Sequence, residues 1–307
     1  MPSWDPRELP SQEGRTFVVT GGSSGIGYFA AEQLAEAGAT VVIAARSQEK
    51  ADSAAASITR RTPDARVEFL HLDLGSLASV REAAAELRAR DRLDGLLENA
   101  AVILAGRKRL VTADGHELTF GTNHLGHFAL TALTFPVLAR TPGSRIITMG
   151  SGVTKLVALH AEDLQSEKRY SSFGSYGQSK HATQSFGFEL DRRLRAAGSA
   201  VISLVAHPGS AQDGLSPYRR GVNEPSVLQR MRAGITFPAG GSKEAAAWPL
   251  VRAAIDPDAE GGQYWGRTTP IGGRPVLNTP ESSSHSVEFG AGLWSLSENW
   301  TSIGFSV

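Results

Sequence analysis

Tyr176 and Lys180 stand four positions apart in the stretch FGSYGQSKHA, residues 173–182. On a helix that spacing puts both side chains on one face, one turn apart. A free tyrosine hydroxyl titrates near ~10, too high to shuttle protons at neutral pH. A cation one turn away favours the phenolate and lowers that value. The pair therefore has the makings of an acid/base group with its tuning cation. Many surface helices carry the same spacing, so its meaning depends on its company.

A second stretch supplies some. TGGSSGIG, Thr20 to Gly27, joins an apolar strand to a helical run. Gly21, Gly25 and Gly27 let the backbone turn sharply and approach a pyrophosphate, whose charge a helix N-terminus favours. A helix cap with convenient glycines is the plain alternative, but the place between a strand and a helix favours a dinucleotide. The second strand ends in Ala44, Ala45 and Arg46, with Lys50 one turn later. An acidic residue there would bind the ribose 2′-hydroxyl of NAD; a guanidinium suits a 2′-phosphate. The cofactor expected is NADP(H) rather than NAD. Asp73, ending the third strand in HLDL, contacts adenine or else caps the helix starting near Ser76.

The elements that must hold these residues alternate along the chain. RTFVVTGG (15–22), TVVIAAR (40–46), RVEFLHLDL (66–74), LDGLLENAAV (93–102), SRIITMGSG (144–152) and SAVISLVAHPG (199–209) read as strands. Helices lie between them, including one long helical region over 114–140 and another over 175–198. Strict alternation predicts right-handed βαβ crossovers: an α/β fold with a doubly wound parallel sheet between two helical layers, in one domain. Residues 1–14 read as a polar leader and 15–269 as the NADP-binding Rossmann catalytic domain. Within it, 210–240 is a polar, Gly/Pro-punctuated excursion placed to lid a substrate. SKEAAAWPLVRAA resumes a helix with a kink at Pro249, and GGQYWG supplies a last short strand. Residues 270–307 form a C-terminal extension whose elements the pattern does not place.

The chain has 307 residues, 41% of them hydrophobic, and 31 acidic against 31 basic side chains. That balance offers no electrostatic case for nucleic acid or an anionic membrane. With no cysteine, disulfides, thiol nucleophiles and Cys-zinc sites are excluded. The histidines form no spaced metal triad. No signal pattern opens the chain and no run of eighteen apolar residues appears, so the expectation is a cytoplasmic protein without a membrane span.

The Thr-led glycine turn followed far downstream by Tyr-x-x-x-Lys resembles the short-chain dehydrogenase/reductase family. The matched stretches are TGGSSGIG, Asp73-Leu74, ENAA (98–101), GTNHLGHFALT (121–131), RIITMGSG, SYGQSK and HPG (207–209). HLGHF and EDLQSEKRYSSFGSYGQSK are closest to the retinol-dehydrogenase-like branch. So is the interval of 25 positions from Ser151 to Tyr176, which that branch fills with an insert. The resemblance implies hydride transfer between nicotinamide and an alcohol or carbonyl. Tyr176 would be the acid/base, and Lys180 its cation and ribose anchor. Ser151 would polarise the substrate oxygen, and Asn123, within the long helix, would anchor a water that refills the proton. It places the cofactor on Gly21, Ser23, Ser24, Gly25, Ile26, Gly27, Arg46, Asp73, Leu74, Asn99, Ala100, Ala101, Tyr176, Lys180, Pro208 and Gly209.

Two departures stand out. The family's Asn-Asn-Ala-Gly is Glu98-Asn99-Ala100-Ala101 here, which adds a methyl at Ala101 where backbone passes the cofactor. Gly150 replaces a serine before Ser151, which would loosen the loop behind the hydroxyl. Arg219 and Arg220, in the excursion, read as solvated charges or as contacts to an acidic substrate or the cofactor phosphate. Two other functions share the scaffold: a carbon-carbon double-bond reductase, and a non-catalytic NADP-binding sensor. The family commonly forms dimers and tetramers through its fourth and fifth helices, so a homo-oligomer is expected unless the insert covers that face.

Overall fold

A computed structural model describes residues 4–6, 8–236, 241–269 and 272–307. Residues 1–3 and 7 of the expected leader, 237–240 of the excursion and 270–271 at the start of the extension lie outside that description.

The alternation forms as the sequence pattern demands. Strands β1 (Thr16–Thr20), β2 (Thr40–Ala45), β3 (Arg66–His71), β4 (Gly95–Glu98), β5 (Arg145–Met149) and β6 (Ile202–Ala206) alternate with helices. These are α1 (Gly25–Glu36), α2 (Gln48–Arg61), α3 (Leu77–Arg88), a short α4 (Leu118–Phe120) continuing into α5 (Gly126–Ala139), and α6 (Ser172–Ala196). The excursion holds two-residue strand β7 (Ala211–Gln212) and α7 (Val227–Thr236). It is followed by β8 (Gly241–Ser242), α8 (Lys243–Ile255), β9 (Tyr264–Thr269), β10 (Gly272–Leu277) and α9 (Val287–Thr301). β7 and β8 pair only with each other.

The main sheet runs β10-β9-β6-β5-β4-β1-β2-β3. Its strands are parallel except β10, which returns antiparallel on β9. Strand order reverses between β4 and β1, which is where a doubly wound sheet opens a crevice at its carboxyl edge. Alternate side chains divide between two cores. Phe17, Val19 and Ile43 pack towards α1 and α8; Val18, Val42, Leu96 and Ile146 face α3, α5 and α6. The central strands are therefore buried on both faces, while edge strand β3 exposes Arg66, Glu68 and His71. Among the described residues no helix is long and apolar enough to cross a membrane.

The structure departs from the sequence pattern in three places. The helical region begins at Leu118 rather than 114 and contains a π turn, Gly121–Leu125, before α5. β10 was not foreseen, because GGRPVL has neither alternation nor a β-branched run. Third, residues 272–307 are built into the domain: β10 extends the sheet and α9 packs along α6.

Candidate active site

Between β1 and α1 the backbone turns at Gly21 and Gly25, with φ of +67° and +61°, angles costly for any residue with a Cβ. A Cβ on Gly27 would collide with the Asn99 side-chain nitrogen and the Gly21 carbonyl. Gly25 faces open space, and Ser24 caps α1 without a side-chain hydrogen bond, so its exposed hydroxyl is not spent on the helix. The result is a bare turn at a helix N-terminus, which fits a dinucleotide pyrophosphate. The turn is braced from β4: Asn99 Nδ2 donates to the Thr20 carbonyl at 2.9 Å and the Ala100 N–H to Thr20 Oγ1 at 2.9 Å.

Farther along the carboxyl edge, Arg46 directly follows β2, is exposed and makes no ion pair among the described residues. Asp73 Oδ1 accepts the Gly75 N–H at 2.9 Å, closing a local turn, while Ser76 is itself the cap of α3. Leu74 is buried beside it. Pro208 and Gly209 follow β6, with Gly209 at φ +67° and its N–H on His207 Nδ1. Ala101 is exposed at the end of the β4 segment, beyond Ala100.

The four reacting candidates converge from three elements. Tyr176 and Lys180 lie on α6, and Ser151 follows β5. The Ser151 hydroxyl lies on the Tyr176 side, near enough to act on its phenol, and accepts the Val153 N–H, capping the 3-10 turn Gly152–Lys155. Lys180 is buried, with Nζ donating to the Met149 carbonyl at 2.7 Å and lying 5.9 Å from the Tyr176 ring centroid. Asn123, in the π turn, is 1% exposed. Its side chain holds the Val102 N–H at 2.8 Å, the Val102 carbonyl at 3.0 Å and Ser179 Oγ at 3.0 Å. Ser179 in turn donates to the Tyr176 carbonyl, so Asn123 fastens the π turn to the helix that carries Tyr176.

Burial raises the Tyr176 pKa above its ordinary value, and the Ser151 hydroxyl works against that rise. The lowering expected from Lys180 is absent from this geometry, because the ammonium is turned to the Met149 carbonyl rather than to the phenol oxygen. Lys180 itself is lowered to about 8 by burial, with the Glu98 charge opposing.

Gly150 does not loosen the loop. A Cβ there would meet the Gln184 side chain at 2.7 Å; Gln184 fills that space and its Nε2 donates to the Ser151 carbonyl at 2.9 Å. The insert between Ser151 and Tyr176 is folded back on α6. The Gln178 amide bonds the backbone of Ala158 and His160, and His181 Nε2 lies 2.8 Å from the Val157 carbonyl.

His127, which sequence reasoning considered only as a metal ligand, is the link between the two ends of the site. Its Nδ1 must donate to the Asn123 carbonyl at 2.9 Å, so in the neutral ring Nε2 accepts from Thr20 Oγ1 at 2.9 Å. Burial holds this imidazole neutral, with its pKa lowered to about 4. A histidine inside the otherwise apolar run GHFALT was the available signal. Among the described residues no cluster of acidic, histidine or cysteine side chains could hold a metal.

Arg219 points neither to solvent nor to the site. Its guanidinium makes a bidentate pair with Glu32 of α1, at 2.6 and 2.9 Å, and so pins the excursion to the outside of α1. A cleft of about 810 Å³ beside that region, lined by Gln33, Glu36, Trp248 and Arg267 among others, contains none of the site residues above.

The fold and this constellation define a nicotinamide-linked oxidoreductase scaffold, and comparison with known proteins agrees. Residues 15–212 match the family model described as short chain dehydrogenase. The chain is 37% identical to mouse polyprenol dehydrogenase over 90% of its own length and 79% of that protein. To human retinol dehydrogenase 13 it is 40% identical, over 67% of this chain and 61% of that one. A crystal structure of a protein from Mycobacterium paratuberculosis superposes with a TM-score of 0.80 at 34% identity, covering 99% of both chains. An NADP active-site complex of RhlG from Pseudomonas aeruginosa superposes at 0.62 with 25% identity, over 83% of this chain and 95% of that one. The chain belongs to the short-chain dehydrogenase family, whose members here are oxidoreductases that use a nicotinamide cofactor.

Proposed function

We propose that this protein is an NADP(H)-dependent dehydrogenase/reductase acting on an apolar alcohol and its carbonyl, with Tyr176 as acid/base. The observation that carries the reading is the convergence of α6 on the end of β5: Lys180, one turn along from Tyr176, donates to the Met149 carbonyl two residues before Ser151. When bound, the nicotinamide supplies or accepts the hydride. The chain's part is to hold and move the proton. Ser151 stands beside the phenol and offers a second donor to a substrate oxygen placed between them. Tyr176 passes the proton to or from that oxygen, and polarisation by the two hydroxyls stabilises charge developing there. Lys180 gives the site its cation and is positioned to hold ribose hydroxyls. Asn123 acts chiefly by position, through Val102 and Ser179, and its water-anchoring role is part of the proposal.

Preference for NADP(H) rests on Arg46 at the end of β2. An apolar substrate is supported by the polyprenol and retinol named for the relatives and by α7. That helix, in the excursion leaving the carboxyl end of β6, exposes Val227, Leu228, Met231 and Ile235. A double-bond reductase would use the same tyrosine, but the relatives' names specify alcohols.

The test is Tyr176→Phe, assayed on a panel of alcohols and carbonyls by NADPH absorbance. Turnover should fall by about 10²–10⁴-fold, while NADPH binding, followed by fluorescence, persists. Unchanged turnover would remove Tyr176 from the chemistry, and activity restricted to conjugated double bonds would favour the reductase.

A further inference from the structure

Glu98, the last residue of β4, stands where the family places an asparagine, and it is 1% exposed. Its Oε1 accepts the Thr131 hydroxyl from α5, and its Oε2 accepts the Thr148 hydroxyl from β5 at 2.9 Å. Both oxygens are thus met by donors, an arrangement suited to an acceptor-only carboxylate. Thr148 is the register partner of Glu98 across β4 and β5. The next residue, Met149, supplies the carbonyl that receives the Lys180 ammonium. Lys180 is 2% exposed. The two ionisable groups are therefore supported on consecutive residues of one strand, out of water. They make no direct ion pair; what joins them is their placement on the neighbouring residues Thr148 and Met149.

The other groups facing this cluster carry no charge of their own near neutrality. α5 presents Thr131 and the neutral His127, β5 presents Thr148, β1 presents Thr20, and α6 presents Tyr176, whose phenol is kept protonated by burial. An ammonium buried among hydroxyls and carbonyls alone tends to shed its proton rather than stay charged.

We propose that Glu98 is a positioning residue whose carboxylate is the buried counter-charge that keeps Lys180 protonated on the Met149 carbonyl. Burial pushes Glu98 up to about 7 and Lys180 down to about 8, and each charge opposes the displacement of the other. An amide at position 98 would fill the same space and supply no charge. The significance for catalysis rests on the proposed role of Lys180; the electrostatic pairing itself does not.

The pairing is tested in cofactor-free protein labelled with ¹⁵N-lysine, following Nζ by NMR from pH 6 to 10 and assigning Lys180 with Lys180→Met. In Glu98→Gln the Lys180 midpoint should drop by about 1 pH unit or more. Glu98→Asn serves as a second neutral variant, with the same expected shift if the longer amide disturbs the fold. An unchanged midpoint in either folded variant overturns the proposal. In turnover assays the loss of activity on the alkaline side, where Lys180 gives up its proton, should move to lower pH by the same amount. A purely structural role would lower kcat equally at every pH. If the NMR midpoint moves but no alcohol or carbonyl is turned over, the counter-charge stands and the proposed function fails.

Discussion

Individual residues divide by whether their role is local or comes from contacts far along the chain. Tyr176 and Lys180 declare themselves by type and spacing, Ser151 and Asn123 through the resemblance to a family, and the structure brings all four together. Arg46 is also a local reading, and its exposure at the end of β2 makes it testable. Arg46→Asp should move cofactor preference from NADP towards NAD by on the order of tenfold or more, since a carboxylate repels a 2′-phosphate and accepts from a 2′-hydroxyl. Equal kcat/KM ratios for the two cofactors before and after the change would remove Arg46 from the argument. Glu98, His127 and Gln184 were not legible in the same way. Their partners lie 33 to 107 positions away in the chain, and no local spacing encodes a contact at that distance. Arg219 teaches the same lesson. In sequence it is one of two loop arginines; in the structure Glu32, 187 positions away, decides what it does.

At the scale of elements, apolar periodicity placed the strands and helices of the first two hundred residues. It missed the π turn because residues 114–140 keep helical spacing throughout. The extra residue is visible only once Asn123 is drawn to Val102 and Ser179. The C-terminal helix was unreadable for a related reason: GLWSLSENW becomes amphipathic only relative to the surface that receives it. Trp294 of α9 is 2% exposed. It meets Phe128 edge-on at 5.4 Å and stacks on Phe305 at 4.8 Å. The Arg193 guanidinium of α6 covers it, 4.2 Å from the ring centroid. Trp294→Ala should cost about 3–5 kcal/mol of stability, measured as a lower urea midpoint. A loss under about 1 kcal/mol would mean that α9 is dispensable to the core formed by α5 and α6.

For the molecule as a whole, buried histidines govern the response to acid. Burial lowers His124 to about 3, and His127 and His207 to about 4. Each folded value lies below the ordinary value of 6.5, so between these pH values the unfolded chain binds more protons. The contribution is present in full above pH 6.5 and is lost as pH falls towards 4. For His127 alone it is on the order of 3 kcal/mol. Glu98 works in the opposite sense: its raised value favours the folded state as pH falls from about 7 towards 4.5. The three large histidine shifts outweigh the one large carboxylate shift; smaller ones lower His181 and His285 and raise Glu36, Asp191 and Glu244, largely offsetting each other. The melting temperature should decline between pH 6.5 and 4.5, and His207→Asn should make that decline shallower. A melting temperature that holds level across this range would show that these rings are not the controlling groups.

Ser151 and Asn123 came from the resemblance to a family, but by itself the sequence determined the α/β class, the order of the central elements, the glycine turn and the Tyr176–Lys180 spacing. These depend on period, turn chemistry and short-range spacing, which act within a few residues and so are written locally. Tertiary structure alone decided that β10 closes the sheet antiparallel and that α9 belongs to the core. It also decided that Gln184 fills the space beside Gly150, that His127 joins Thr20 to Asn123, and that Glu98 lies buried near Lys180. Each depends on which side chains the sheet brings into one dry layer. Charge, burial and hydrogen bonding acquire their strength there only after folding has removed the water.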